Sequence, residues 1–401
     1  MNLKPVFELT SPPLPVVRIG LIGLGQRGQK TLARYGDITG AEIRYIADLD
    51  PTRITEAQAL LRKSGRPEAK SIVGTEAWKQ LCQVPDLDVI YICTDWNSHC
   101  RIAVAAMEAG KHAAIEVPAA ATVDECWQLV RTAEATRRHC FITENCCYDH
   151  FSLALQEIVE EGLLGEITYC EGAYIHDLRS RLGLQRPQDG IRNWMEQSYA
   201  HNTGNPYPTH GLGPIGWLLG LHRGDRMDYL VAMSSAGNGT DRLVGRINNT
   251  LIHTVQGRTI LLQFDVTTQR PYSRLQTVCG TRGYAQKYPV PTLKTTATQA
   301  ILQGDEALAA ANAHMTSHAA RLWEEGHRKG VANEMNYAMD RRFIYCLQNG
   351  LPLDIDVYDA AEWSCIAELS MRSVESGSQP VPIPDFTSGH WEQLSGHRFY
   401  V

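Results

Sequence analysis

The sequence predicts an α/β protein in two parts: a doubly wound parallel sheet over residues 1–149, then an α+β domain over residues 150–401 with an open, mainly antiparallel sheet. Three observations predict this. The nearly continuous apolar run VVRIGLI (16–22) leads directly into the glycine-rich turn Gly23-Leu24-Gly25-Gln26-Arg27-Gly28. Strand-like and helix-like segments then alternate as far as residue 148. Beyond residue 150, strand-like runs succeed one another, and helical patterns gather toward the C-terminus.

The chain has 401 residues, too many for one ordinary core, and its 43% hydrophobic and 20% charged content suits a globular protein. A net charge of −6 offers no basic footprint for nucleic acid or for an anionic membrane. No apolar run reaches the length of a membrane span. The N-terminal MNLKPVFELTSPPLPVV lacks an apolar h-region and a small-residue cleavage site, and reads as a short arm. The 11 cysteines are odd in number and sit in apolar settings such as IYICTD and ITENCCYD. No CxxC and no histidine-paired spacing accompanies them, so reduced core cysteines, a cytoplasmic setting and no metal are expected.

Taken in order, VVRIGLI reads as a parallel strand buried on both faces. QKTLARYG after the turn reads as a helix, and EIRYIAD as a second strand ending at Asp48. Strand, GxGxxG, helix and an acid 20 residues beyond Gly28 form the dinucleotide-binding fingerprint of a Rossmann domain. Gly23 permits the tight turn, Gly25 the approach of a pyrophosphate, and Gly28 close packing of helix on strand. The helix N-terminus offers N–H groups and a partial positive charge. Asp48 can accept both ribose hydroxyls of NAD and would repel the 2′-phosphate of NADP. Further strands are expected at LDVIYICTD (87–95), HAAIEVP (112–118) and HCFITENCCY (139–148), with helices SHCRIAVAAMEAG and TVDECWQLVRTAEATRR between them. Ligands of such sheets gather at strand C-termini, here Asp48, Thr94-Asp95-Trp96, Glu116-Val117-Pro118 and Glu144-Asn145. For Trp96 and His99, strand-end packing and helix capping compete with a ligand role.

In the second part, FSLALQEIVEEG reads as a helix, followed by strands in EITYCEGAYIHD, DYLVAMSS, GRINNTLIHTV, TILLQFDVTT and RLQTVCGTRGYAQ. Residues 179–206 read as a long loop, a candidate lid. It leads into GNPYPTHGLGP (204–214), where His210 stands among glycines and prolines. That turn either starts a helix, with Thr209 as its cap, or aims an imidazole at a substrate. Tyr174 and His176 alternate in GAYIHD and can share one face of a strand. Residues 307–330, NEMNYAMDRRFIYCLQNG and VYDAAEWSCIAELSMRSVESG read as late helices.

The fingerprint, TDWNSH and GKHAAIEVPAA together resemble the glucose–fructose oxidoreductase/inositol dehydrogenase/MocA superfamily. Most of that superfamily carries Glu-Lys-Pro where this chain has Glu116-Val117-Pro118, and valine transfers no proton. One branch shares the substitution, the NAD-dependent α-N-acetylgalactosaminidases of glycoside hydrolase family 109. ENCCYD, GAYIHDLR, GNPYPTHGLGP, RGDRMDYLVAMSS, DVTTQRPYSR and LPLDIDVYDAAEW are similar to that branch in the same order.

The resemblance implies NAD contacts at Gln26, Arg27, Asp48, Trp96, His99, Glu116, Val117 and Asn145. It implies a sugar site of Tyr174, Tyr207, Pro208, Thr209, His210 and Tyr272, with His210, Tyr174 and Tyr272 in proton transfer. The implied reaction is redox-neutral: transient oxidation at C3, loss of the C2 proton and the C1 substituent, water addition and re-reduction. Two departures fall near the expected sugar site. Trp194 is followed by Met195 rather than arginine, with Arg192 as the substitute, and the late helix opens with VANEMN around Glu334 and Asn336. The alternative is a net NAD-dependent sugar dehydrogenase, which the missing lysine disfavours. By analogy with the superfamily, the exposed face of the second sheet is a candidate homo-oligomer interface.

Overall fold

In the computed structural model, residues 4–184, 193–238 and 242–395 are described. The strand after the N-terminal arm is β1 (Val17–Ile22), in which Val17, Ile19 and Leu21 are fully buried. With β2 (Ala41–Asp48), β3 (Lys70–Val73), β4 (Val89–Ile92), β5 (His112–Ile115) and β6 (Cys140–Ile142) it forms a six-stranded parallel sheet in the order β3-β2-β1-β4-β5-β6. That order places a topological switch point between β1 and β4, where ligands of doubly wound sheets bind. The central strands β4 and β5 are buried at every residue, as continuous apolar runs require. β3 escapes sequence reading because KSIV is short and mostly exposed. The helices are α1 (Gln26–Arg34), α2 (Pro51–Lys63), α3 (Ala77–Gln83), α4 (Trp96–Glu108) and α5 (Val123–Thr136). α5 starts at a capping box, Thr122 accepting from the Glu125 N–H. The segment read as strand to residue 148 leaves the sheet after Ile142 and turns into a short 3₁₀ helix, Asn145–Tyr148.

The chain divides into two compact units. The first runs to Tyr148 and regains Ser317–Ala361; the second comprises Asp149–Thr316 and the chain from Glu362 on. Two late helices, α10 (His318–Lys329) and α11 (Glu334–Asn349), thus belong to the first unit. Side chains distant in sequence hold α11 there. Arg34 donates to Asp340 Oδ2 at 2.5 Å, Tyr91 donates to Asp340 Oδ1 at 3.2 Å, and Phe141 stacks on Phe343 with centroids 4.7 Å apart. Asp340 is fully buried, so its pairing with Arg34 and Tyr91 is what makes that burial tolerable.

The second unit has a nine-stranded sheet. Its strands are β7 (Ile167–Ile175), β8 (Met227–Ser234), β9 (Asn248–Thr254), β10 (Thr259–Asp265), β11 (Ser273–Gly280), β12 (Tyr284–Gln286), β13 (Thr292–Lys294), β14 (Leu302–Gln303) and β15 (Val381–Pro382). The order is β14-β13-β12-β11-β7-β10-β9-β8-β15, antiparallel except for the β7–β10 pair. Helices α6 (His150–Glu160), α7 (Trp194–His201), α8 (Thr209–Leu219) and α9 (Gly304–Asn312) accompany it, as does the part of α12 (Val357–Glu375) from Glu362 on.

α8 lies against β7 at backbone distance. A Cβ on Gly172 would stand 2.3 Å from the Gly211 carbonyl oxygen, and one on Gly211 would stand 2.6 Å from the Ala173 nitrogen. Three expectations are corrected here. Thr209 does not cap α8: Pro208, at φ −76° and ψ −25°, is already helical, so Thr209 is the first helical residue and its buried hydroxyl caps nothing. The stretch 179–206 is not a continuous loop, because Asn193 accepts from the Glu196 N–H and starts α7. Residues 307–330 are not one helix: α9 ends at Asn312, and Ser317 caps α10 by accepting from the Ala320 N–H.

Two outcomes are expected. Gly172→Ala forces α8 away from β7 and should cost about 1–3 kcal/mol, the usual penalty of overpacking, read from the denaturation midpoint. In the first unit, His112 Nδ1 accepts from the His139 N–H at 3.0 Å, and burial, helped by the Arg138 charge, lowers His112 from an ordinary value near 6.5 to about 4. The folded state keeps this imidazole neutral while the unfolded chain protonates it. Stability is therefore fully present above pH 6.5 and is lost as pH falls toward 4, by up to ~1.4 kcal/mol per pH unit for one proton. His112→Asn should flatten that loss in denaturation curves between pH 7 and 4.

Candidate functional site

In the first unit two glycines of the turn, Gly23 and Gly28, leave no room for a Cβ. Gly23 has φ +87°, and a Cβ there would lie 2.6 Å from the Cys93 carbonyl oxygen. A Cβ on Gly28 would lie 1.8 Å from the Gly23 carbonyl oxygen. Gly25 is the N-cap of α1, has no side chain to occupy the first-turn N–H groups, and no acidic residue stands in that turn. The N-terminus of α1 therefore keeps donors and partial positive charge for an anion. Asp48 locks the turn, its Oδ2 accepting from Leu24 N at 2.6 Å and its Oδ1 from Asp50 N at 2.9 Å. Each carboxylate oxygen retains acceptor capacity for ribose hydroxyls.

The neighbouring strand ends contribute the remaining cofactor candidates. Gln26 is exposed at the start of α1, while Arg27 pairs through Nε with Glu116 Oε2 at 2.7 Å. Trp96, Glu116, Val117 and Asn145 are buried. His99 joins two strand-end loops, with Nδ1 2.7 Å from the Pro118 carbonyl and Nε2 3.1 Å from that of Thr94. Burial pushes its pKa below the ordinary imidazole value, against the pull of the two carbonyls. A neutral ring donates once, so one of these two carbonyl contacts carries its hydrogen. Asn145 donates to Asn336 Oδ1 at 3.0 Å, which puts that late-helix residue beside a cofactor candidate. Glu334 pairs with His327. The cradle fits a dinucleotide on two observations of the structure. Its turn excludes a Cβ at Gly23 and at Gly28, and Glu116 Oε1 is buried with no hydrogen-bond partner among the described residues.

In the second unit, Tyr174, His176, Tyr207, His210 and Tyr272 converge. The Tyr174 and Tyr207 rings lie 4.4 Å apart, Tyr174 and His210 5.4 Å, and Tyr207 and His210 4.9 Å. His176 meets Tyr272 edge-on at 5.2 Å. Tyr174 Oη is 3.2 Å from His176 Nδ1, and Tyr207 Oη is 3.4 Å from His210 Nε2. Local structure explains the aim of these groups. Tyr174 stands at the end of β7 and His176 directly after it, its N–H donating to the Asp265 carbonyl at 2.9 Å. The turn before α8 is tied to α12, with Asn205 N donating to Ser370 Oγ at 2.8 Å and Gly204 so close that a Cβ would lie 2.4 Å from Met371 N. The Gly172–Gly211 contact then sets His210 over Tyr174.

Pro208 and Thr209 are buried behind the ring cluster's turn, and Tyr272 is 44% exposed. Trp194 and Met195 open α7, with Trp194 exposed. Arg192 lies outside the described residues. His176 is outside the sugar site that the resemblance implies, yet the structure gives it contacts to both Tyr174 and Tyr272; the signal was the i, i+2 alternation in GAYIHD.

Comparison with known proteins agrees with both halves. Residues 148–393 match the family model "Glycosyl hydrolase 109, C-terminal domain", and residues 17–144 match "Oxidoreductase family, NAD-binding Rossmann fold". The chain is 51% identical to glycosyl hydrolase family 109 protein 2 of Phocaeicola vulgatus, over 98% of this chain and 100% of that protein. It is 50% identical to an alpha-N-acetylgalactosaminidase of Bacteroides fragilis, over 97% of this chain and 96% of that protein. Among solved structures, levoglucosan dehydrogenase in complex with NADH and levoglucosan superposes with a TM-score of 0.70 at 19% identity, covering 92% of this chain and 99% of that one. At that identity the likeness is one of fold.

Asp48→Ala removes the carboxylate that braces the glycine turn and retains acceptor capacity for ribose hydroxyls. It should weaken NAD binding by at least about 10-fold, the scale of a lost charged hydrogen bond, and narrow any preference over NADP in equilibrium titrations.

Proposed function

Since the chain belongs to glycosyl hydrolase family 109 and carries an oxidoreductase-type NAD-binding domain, we propose that it is a redox-neutral glycosidase acting on α-N-acetylgalactosaminides or a closely related sugar. The observation that carries the reading is the gathering of Tyr174, Tyr207, Tyr272 and His210 into one cluster of phenols and imidazoles. Ordinary glycosidases place two carboxylates across the bond they break. This cluster instead offers groups that exchange protons near neutral pH.

Bound NAD supplies a reversible hydride acceptor for the sugar's C3, which makes the neighbouring C2–H acidic. Gly23, Gly25, Gln26, Arg27 and Gly28 hold its phosphates, Asp48 its ribose, and Trp96, Glu116, Val117 and Asn145 the remainder. Asp48 favours NAD over NADP by charge. Proton transfer falls to the second unit. Tyr174 and His210 take the C2 proton and return it, and the Tyr207 phenol, beside His210 Nε2, steadies that ring in either protonation state. Tyr207, Pro208 and Thr209 shape the sugar site, and Tyr272 covers it from its half-exposed position. Val117, in place of the lysine typical of the sugar dehydrogenases this chain resembles, disfavours net oxidation of a free sugar.

The test is a chromogenic aryl α-N-acetylgalactosaminide incubated with the protein and NAD⁺ in D₂O. Phenol release without lasting NADH absorbance, with deuterium at C2 of the product, is expected. Stoichiometric NADH from a free sugar would establish the dehydrogenase reading instead. His210→Ala should retain NAD binding and lose at least about 100-fold in turnover, the scale of a general acid–base group.

A further inference from the structure

We propose that His176 is a positioning residue for Tyr174: its Nδ1 receives the hydrogen bond of the Tyr174 phenol, fixing where that proton points and giving it a place to go. This rests on reading Tyr174 as part of the sugar site.

The geometry is specific. Tyr174 is the last residue but one of β7 and His176 directly follows the strand, with Oη and Nδ1 at 3.2 Å and the rings edge to face. The tautomer carrying its hydrogen on Nε2 makes Nδ1 the acceptor. His176 is itself confined, by Tyr272 at 5.2 Å on one side and by its backbone N–H, which donates to the Asp265 carbonyl at 2.9 Å. The charged and titratable groups facing it are Arg181 and Asp177 from the segment after β7, His210 from α8, and the phenols of Tyr174 and Tyr272. Asp177 is engaged by Arg179 at 2.7 Å, which reduces its pull on the imidazole. Burial, then Arg181 and His210, keep His176 below its ordinary value. At neutral pH the ring is therefore ready to accept.

The step balances without a co-reactant. The Tyr174 O–H bond breaks, its electron pair stays on oxygen, and the proton forms an N–H bond at His176 Nδ1. A phenolate and an imidazolium result, and the reverse transfer restores both. The cluster thus contains two phenol–imidazole pairs, Tyr174–His176 and Tyr207–His210, with the two phenol rings 4.4 Å apart. An elimination followed by water addition needs one proton removed and one returned, which suits two such pairs.

The test has two arms on the full-length protein. In the first, the His176 ring is titrated by NMR through its Cε1 signal. Tyr174→Phe should raise its midpoint by at least about 0.5 unit, because the lost phenol no longer stabilises the neutral ring. An unchanged midpoint overturns the proposal whether or not the protein cleaves glycosides. In the second, His176→Gln keeps an acceptor but cannot be protonated. It should lower kcat about 10–100-fold, leave KM within about threefold, and move the acidic limb of the kcat/KM profile to lower pH. A His176→Gln profile that merely scales the wild-type curve overturns the proposal. A wild type that releases no phenol defeats the glycosidase reading alone, and the titration arm still decides the fate of the pair.

Discussion

The approach of α8 to β7 governs the second unit. Two glycines, Gly172 and Gly211, let helix and strand meet at backbone distance, closer than any side chain permits. Everything in the ring cluster inherits its position from that contact. Tyr174 stands two residues beyond Gly172, and His210 directly before Gly211, so a fixed strand-to-helix distance becomes a fixed phenol-to-imidazole distance. Asn205 and Gly204, held against Ser370 and Met371, brace the same turn from the other side. The rigidity of this segment is a product of exclusion, since there is no room for it to stand elsewhere.

The first unit uses the same device for a different end. Gly23 and Gly28 bring a turn and a helix N-terminus together at a distance only hydrogen atoms tolerate, leaving N–H groups presented outward. Charge is then arranged around that opening. Arg27 is held by Glu116, and Asp48 is held by the turn's own amide. Preorganisation here means that the groups facing a ligand have already been oriented before it arrives.

What the sequence made legible was whatever is local. The fingerprint, the i, i+2 pair in GAYIHD and the continuous apolar strands are written in residues a few positions apart, and the structure has them. Contacts between distant residues left weaker traces. That Tyr207 would pack against Tyr174 follows from a glycine pair whose partnership no spacing announces. The helix at Thr209 starts one residue earlier than a cap reading allows, because Pro208 had already adopted helical angles. Asn336 is bonded to Asn145 across 191 positions of chain, a pairing that no local pattern announces. Helical periodicity marks 307–330 and NEMNYAMDRRFIYCLQNG as helical without showing the break before Ser317 or saying which sheet the helices serve.

That last point has a consequence during synthesis. The ribosome delivers the parallel strands, β1 to β6, well before it delivers Asp340 and Phe343. Until then the Arg34 guanidinium and the Tyr91 phenol lack the carboxylate they close upon, and Phe141 lacks its stacking partner. The nucleotide-binding half, although encoded first, is finished late. A message truncated in mid-chain would yield a fingerprint sheet with an uncovered face, and the cell's quality control would meet it before any sugar could.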